Sequence, residues 1–224
     1  MSDRLILAVD TSTRASIVAL GSSLPLAISR REVRHRHGAH VLEQIEEVLG
    51  QAGRSLDDVA ALAVGTGPGS FTGLRVGLAT LKTVAYAREL PLVGVMSSDA
   101  LRLAATVEGA AADAPVVLPA GARDHYLAWA GHDPLLIASG ELSHALAGAT
   151  AVAVDVDPTL VGEEAARVGA AAVEGLAAAL LQLASARVEA GQTDDVAELT
   201  PAYVALPRGV KRAAEDLGWS PDLR

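Results

Sequence analysis

The chain opens on an uninterrupted apolar run, Leu5-Ile6-Leu7-Ala8-Val9, which stops at Asp10-Thr11-Ser12-Thr13. A second run, Ile17 to Leu20, and a third segment, Leu24 to Ser29, follow between turn residues, so the pattern predicts a meander of three adjacent strands. The period then changes. Val41, Leu42, Ile45, Val48 and Leu49 recur at i, i+1, i+4, i+7 and i+8, while Glu43, Gln44, Glu46 and Glu47 fill the other face, which predicts an amphipathic helix. Gly50 and Gly53 end it, and Ser55 is suited to cap a short turn. Ala61 to Val64 reads as a strand, Gly73 to Arg88 as a helix with Leu74, Leu78, Leu81 and Ala85 on one stripe, Leu92 to Val95 as a buried strand, and Ser98 to Val107 as a further helix.

Beyond Ala110 the same order returns more thinly. Val116-Val117-Leu118, Tyr126 to Trp129, Leu135-Leu136-Ile137 and Ala151 to Val156 read as strands, and Gly162 to Ala190 as an Ala-rich helical stretch with breaks. Strands first, then alternating helices and strands, then a reduced second copy predict two related α/β halves, placed at 1–98 and 99–206, with a polar tail at 207–224.

Between the fourth strand and its helix stands Gly65-Thr66-Gly67-Pro68-Gly69-Ser70-Phe71-Thr72-Gly73-Leu74-Arg75. Strand, glycine loop and helix N-terminus together are a recipe for cradling an anion, because the first N–H groups of a helix have no internal partner. The loop is not a Walker A element, since no Gly-Lys-Ser/Thr follows, and it departs from the dinucleotide fingerprint in spacing and in lacking an acid after Val95-Met96-Ser97. Spacing leaves two readings open, a structural turn and a phosphate loop. Asp10-Thr11-Ser12-Thr13, at the end of the first strand, could contact a phosphate or orient a metal-bound water, but taken alone the segment reads first as a plain Asx or ST turn, which those residues favour.

Composition narrows the classes. Half of the 224 residues are hydrophobic and a fifth are charged, which describes a folded chain able to bury a core. The formal net charge of −9 argues against a large nucleic-acid footprint. The basic patch, Arg30, Arg31, Arg34, His35, Arg36 and His37, reads as a solvated loop. His35, His37 and His40 do not make a zinc site, because no Cys or Glu completes the set and Arg34 and Arg36 repel a cation. Without cysteine there is no disulfide or thiolate site, and without a leader or a long uncharged apolar run the expectation is a cytoplasmic protein off the membrane.

Ile6-Leu7-Ala8-Val9-Asp10-Thr11-Ser12, the segment from Gly65 to Gly77 and Pro91-Leu92-Val93-Gly94-Val95 together resemble the TsaB family. This family supplies the partner subunit in bacterial synthesis of threonylcarbamoyladenosine at position 37 of tRNA. The resemblance implies a two-lobed actin-like fold, as in sugar kinases and heat-shock ATPases, with a reduced second lobe. It implies a non-catalytic scaffold that pairs with the catalytic paralogue TsaD, meets the ATPase subunit TsaE through the complex, touches tRNA only indirectly and forms a homodimer when alone. The paralogue holds its metal with two histidines four apart; the matching positions here are Ser97 and Leu101, and no adenosine-binding glycine segment follows Asp157. No metal, cofactor or catalytic residue is therefore expected. Departures from the family pattern fall in the second half, at Gly121-Ala122-Arg123 and Pro201-Ala202-Tyr203-Val204-Ala205. The resemblance implies a partner surface on the two helices, assigned to Val41, Leu42, Ile45, Leu49, Gly73, Leu74, Gly77, Leu78 and Leu81. A vestigial anion or nucleotide loop is assigned to Asp10, Thr11, Gly67, Gly69, Ser70 and Thr72. The competing reading is an ATP-dependent phosphotransferase of the same fold, drawing on Asp155 or Asp157.

Overall fold

A computed structural model describes residues 4–32, 40–202 and 204. Strands β1 (Ile6–Asp10), β2 (Ala15–Gly21) and β3 (Pro25–Glu32) form the expected antiparallel meander. Helix α1 (His40–Gln51) and a 3-10 turn at Leu56–Asp58, entered through Ser55, lead to β4 (Ala61–Gly67). Helix α2 (Phe71–Arg88), β5 (Leu92–Met96) and α3 (Ser97–Ala105) complete the first half. Its sheet has the order β3-β2-β1-β4-β5, with β1, β4 and β5 parallel.

The second half repeats that wiring without the fifth strand. Strands β6 (Val116–Pro119), β7 (Asp124–Ala128) and β8 (Leu135–Ala138) are an antiparallel meander, and the short β9 (Val152–Ala153) lies parallel to β6, giving the order β8-β7-β6-β9. Helices α4 (Leu142–Leu146) and α5 (Pro158–Val161), which periodicity did not announce, are a single turn each. The long α6 (Glu163–Glu189) closes the fold.

Alternation along the strands sorts the layers. Leu7 and Val9 of β1 face α1 and α2, whereas Ile6 and Ala8 face α6. Val116 and Leu118 of β6 share that second core, and Val117 points the other way, toward Leu142 and Leu146 of α4. Helices α3 and α6 thus lie between the two sheets and bury apolar surface on both sides. Buried Arg102 ties α3 to the second sheet, donating to the carbonyls of Ala114 at 2.9 Å and Ala128 at 2.8 Å and to Asp99 at 2.6 Å.

Several expectations are corrected. Arg30 and Arg31 belong to β3 and not to a loop: Arg30 pairs with Glu174 on α6, and Arg31 bridges Glu43 and Glu47 on α1. A strand's period of two sends neighbouring arginines to opposite faces, so adjacency in sequence does not make a patch. Arg34, His35, Arg36, His37, Tyr203 and the tail from Pro207 lie outside the described residues. Gln44, placed on the polar face of α1, is fully buried. Its amide donates to the carbonyls of Ser16 and Ser29 at 3.1 Å each and accepts from the Ser16 hydroxyl at 2.7 Å, joining α1 to β2 and β3. The strand expected over Ala151 to Val156 is confined to Val152–Ala153. The breaks expected in α6 are absent, because its glycines serve packing. A Cβ on Gly169 would run into the Ala153 backbone, and one on Gly175 would come within 3.1 Å of Ala104 Cβ.

Among the described residues α6 alone has the length and apolar composition to cross a membrane, and 61 % of its apolar window is buried inside the fold. After α6 the chain runs along the free edge of β5. Asp194 N donates to Leu92 O at 2.9 Å, its carboxylate accepts from Gly94 N at 2.7 Å, and Ala202 N reaches Thr66 O at 2.8 Å. An exposed sheet edge is a template for unwanted pairing, and this segment covers one.

Candidate functional site: the closed glycine loop

Asp10 ends β1 fully buried beneath the glycine segment. One carboxylate oxygen accepts from Ser12 N at 2.8 Å and the Ser12 hydroxyl at 2.6 Å, closing an Asx turn; the other accepts from the Ser97 hydroxyl at 2.6 Å. Ser97, the first residue of α3, in turn accepts from Gly67 N at 3.1 Å. One carboxyl group thereby joins the β1–β2 turn, the end of β4 and the start of α3. Burial pushes the Asp10 carboxyl above the ordinary aspartate value, opposed by the hydrogen bonds from Ser12 and Ser97.

The glycine loop is packed onto this turn. The peptide between Gly67 and Pro68 is cis, and Gly67 and Gly69 have φ of 105° and 156°. A Cβ on Gly69 would lie 2.8 Å from Ser12 Cβ and closer still to the Ser12 carbonyl. Ser70 N donates to that carbonyl at 2.7 Å. The Ser70 hydroxyl caps α2 by accepting from Gly73 N at 3.1 Å, and the Thr11 hydroxyl donates to Gly73 O at 2.7 Å. The N–H groups of Gly67, Ser70 and Gly73 are thus given to Ser97, Ser12 and Ser70 of the same chain. Thr72 is exposed at the start of α2.

The helices are positioned differently from the expectation. Val41, Ile45, Leu78 and Leu81 are buried in the core against the first sheet, Leu74 is buried beside Gly67, and Leu49 packs against the same core. Gly73 and Gly77 allow close approach to the chain's own β1–β2 turn, since a Cβ on Gly77 would stand 2.5 Å from Thr11 Oγ1. Of the nine residues assigned to the partner surface only Leu42 is exposed, at 58 %; Tyr86 on α2, which the apolar stripe did not include, is exposed at 86 %. A single apolar stripe serves a single neighbour, and here that neighbour is the sheet. Ser97 and Leu101, at the positions where the catalytic paralogue is expected to carry histidines, are both fully buried, Ser97 on Asp10 and Leu101 in the core between the sheets.

Two sheets with the same strand wiring, helices packed between them and a glycine loop at the end of the first define an α/β protein of the actin-like ATPase fold. The family model described as "TsaD: tRNA N6-adenosine threonylcarbamoyltransferase" matches residues 28–156, more than half of the chain. The chain belongs to that family. It is 40 % identical over 90 residues to the tRNA threonylcarbamoyladenosine biosynthesis protein TsaB of Escherichia coli, covering 40 % of this chain and 39 % of that protein. It is 37 % identical over 105 residues to the TsaB protein of Haemophilus influenzae, covering 47 % of this chain and 44 % of that one. The matches thus span less than half the length of these curated relatives. The solved structure titled "YeaZ from Pseudomonas aeruginosa" superposes with a TM-score of 0.66 at 23 % identity, over 89 % of this chain and 99 % of that one. A second, titled an uncharacterized protein with similarity to peptidase YEAZ from the same organism, gives 0.69 at 22 % identity over 90 % and 100 %.

Proposed function

We propose that this chain is a non-catalytic subunit in the synthesis of threonylcarbamoyladenosine in tRNA, one that pairs with the catalytic paralogue TsaD and holds it in its active state. The observation that carries this reading is the filled glycine loop. The N–H groups of Gly67, Ser70 and Gly73 are spent on the chain's own serines, and Ser97 and Leu101 stand where the resemblance implies the paralogue's metal-binding histidines. The loop then sets the start of α2 and the position of the α1–α2 face. Similarity to TsaB proteins over the first half supports the assignment.

The contact surface is the outer side of α1 and α2, where Leu42 and Tyr86 are the large exposed apolar side chains. The same face closes a twofold homodimer when the paralogue is absent, because an isologous patch is self-complementary. TsaE joins through the complex, tRNA is met through TsaD, and the two halves, 1–98 and 99–206, act as lobes of a cytoplasmic protein. The test is reconstitution: threonylcarbamoyl transfer to tRNA and ATP hydrolysis are measured for this chain, the paralogue and the mixture. The expected result is no turnover by this chain alone and a rise in transfer by the paralogue on mixing. Robust ATP hydrolysis or transfer by this chain alone overturns the reading.

A further inference from the structure

Away from the glycine loop, a cavity of about 560 Å³ opens between β3, the segment after β9 and the first half of α6. Small-molecule sites run from about 300 to 1,000 Å³ and combine an apolar wall with a few convergent polar groups. Here the apolar wall is Val156, Ala170 and Val173. At its rim Arg30 is neutralised by Glu174, so this pair offers a ligand little charge. Three charged groups remain. Among the described residues, no hydrogen bond or ion pair engages the Arg14 guanidinium or the Glu32 carboxylate. The Asp155 carboxylate accepts from Arg14 N at 2.8 Å through one oxygen, which leaves the other for a ligand.

One free guanidinium and two carboxylates around an apolar wall are not all matched by a simple ion of either sign. A phosphate would meet one arginine and be repelled by two acids, and a simple cation, though drawn by the two acids, would leave Arg14 unpaired. A molecule carrying both charges satisfies all three groups. We propose that this cavity binds an amino-acid-type zwitterion of dipeptide size. Its carboxylate lies on Arg14, which suits a guanidinium's paired N–H groups. Its ammonium lies toward Glu32 and Asp155, and its aliphatic part against Val156, Ala170 and Val173. The binding requires no covalent step and uses no group of the glycine loop.

The experiment is calorimetric titration of the full chain with alanyl-leucine, with its N-acetylated and C-amidated forms, and with inorganic phosphate and magnesium ATP. Alanyl-leucine is expected to bind, and blocking either end to weaken it about tenfold or more, the loss of one charge-assisted contact. Arg14→Gln is expected to erase the preference for the free carboxylate, and Glu32→Gln to reduce the preference for the free amine. Both side chains reach solvent, so neither change threatens folding. Absence of alanyl-leucine binding at millimolar concentration overturns the proposal. So does equal affinity for the blocked forms, a preference unchanged in both variants, or phosphate or ATP binding that Arg14→Gln abolishes.

Discussion

Replacing Gly65 by alanine probes the Asp10 clip directly. Gly65 lies in β4 between β1 and β5, and a Cβ built on it would stand 2.6 Å from Asp10 Cγ and 2.8 Å from Ser97 Oγ, with Asp10 Oδ2 nearer still. The carboxylate must therefore move by roughly an ångström from an ordinary contact distance. It is held by three donors, so it cannot shift without losing the Ser97 hydrogen bond at least. Overpacking of a tight core costs about 1–3 kcal/mol. A lost hydrogen bond to a buried charged group adds about 1.5–3 kcal/mol. The sum, about 2.5–6 kcal/mol, corresponds to a fall in Tm of roughly 5–24 °C for a chain of this length.

Urea unfolding followed by circular dichroism should show the midpoint falling with the slope unchanged. Gly50→Ala is the control: Gly50 lies in exposed helix with nothing within 4 Å of a built Cβ, so the same chemical change should stabilise by about 0.5 kcal/mol. Asp10→Ala removes the obstructing carboxylate, so its combination with Gly65→Ala should cost less than the sum of the two single changes by about 1–3 kcal/mol. A Gly65→Ala midpoint within error of the wild type, or strict additivity in the double variant, would refute the argument that Asp10 and Gly65 share one occupied volume.

Three further outcomes follow from the same geometry. Leu42→Glu and Tyr86→Glu should weaken association with the paralogue, read by calorimetry or analytical ultracentrifugation, while leaving Tm within about 2 °C, because exposed substitutions cost little stability. Gln44→Leu removes the bonds to Ser16 and Ser29 and strands the Ser16 hydroxyl, which should lower stability by about 1–3 kcal/mol by urea unfolding. Because burial raises the Asp10 carboxyl, the folded protein holds that proton more tightly than the unfolded chain. The group's contribution to stability is then fullest below its ordinary value of 3.8 and is lost as pH rises through the folded value. Tm of the wild type minus that of Asp10→Asn should therefore fall as pH is raised from about 4 to about 7; a rise would contradict the desolvation argument.

Periodicity made the fold legible where one face of an element meets one neighbour. The β1–β2–β3 meander, the α2 stripe and the thinner second copy were all readable from the spacing of apolar residues, because strands and helices bury those positions whatever lies opposite. What lies opposite was not readable. The stripe Leu74, Leu78, Leu81 has the same pattern whether it packs on a sheet or on a partner, and the structure gives it to the sheet. Gln44 and the glycines of α6 failed for a related reason. A polar or small residue counts against burial or helix only until a tertiary partner compensates it, and Ser16, Ser29, Ala153 and Ala104 are remote in sequence.

The glycine loop shows the limit most sharply. Its spacing suits an anion, and so does its place between a strand and a helix N-terminus. Whether a loop of this kind is a site depends on which oxygens its N–H groups already meet, and here Ser12, Ser70 and Ser97 supply them from three separate segments. For the N–H groups of Gly67, Ser70 and Gly73 a phosphate brings no net gain in hydrogen bonds, because it would have to displace three serine oxygens before it bound them. The same bonds that remove the site also fix α2 against Thr11, so the loop's rigidity passes to the helix that presents Tyr86. On the proposed role, the bonds that occupy these three donors also hold the docking helix in place, and substitutions that loosen the clip should weaken association even though they lie out of reach of the partner.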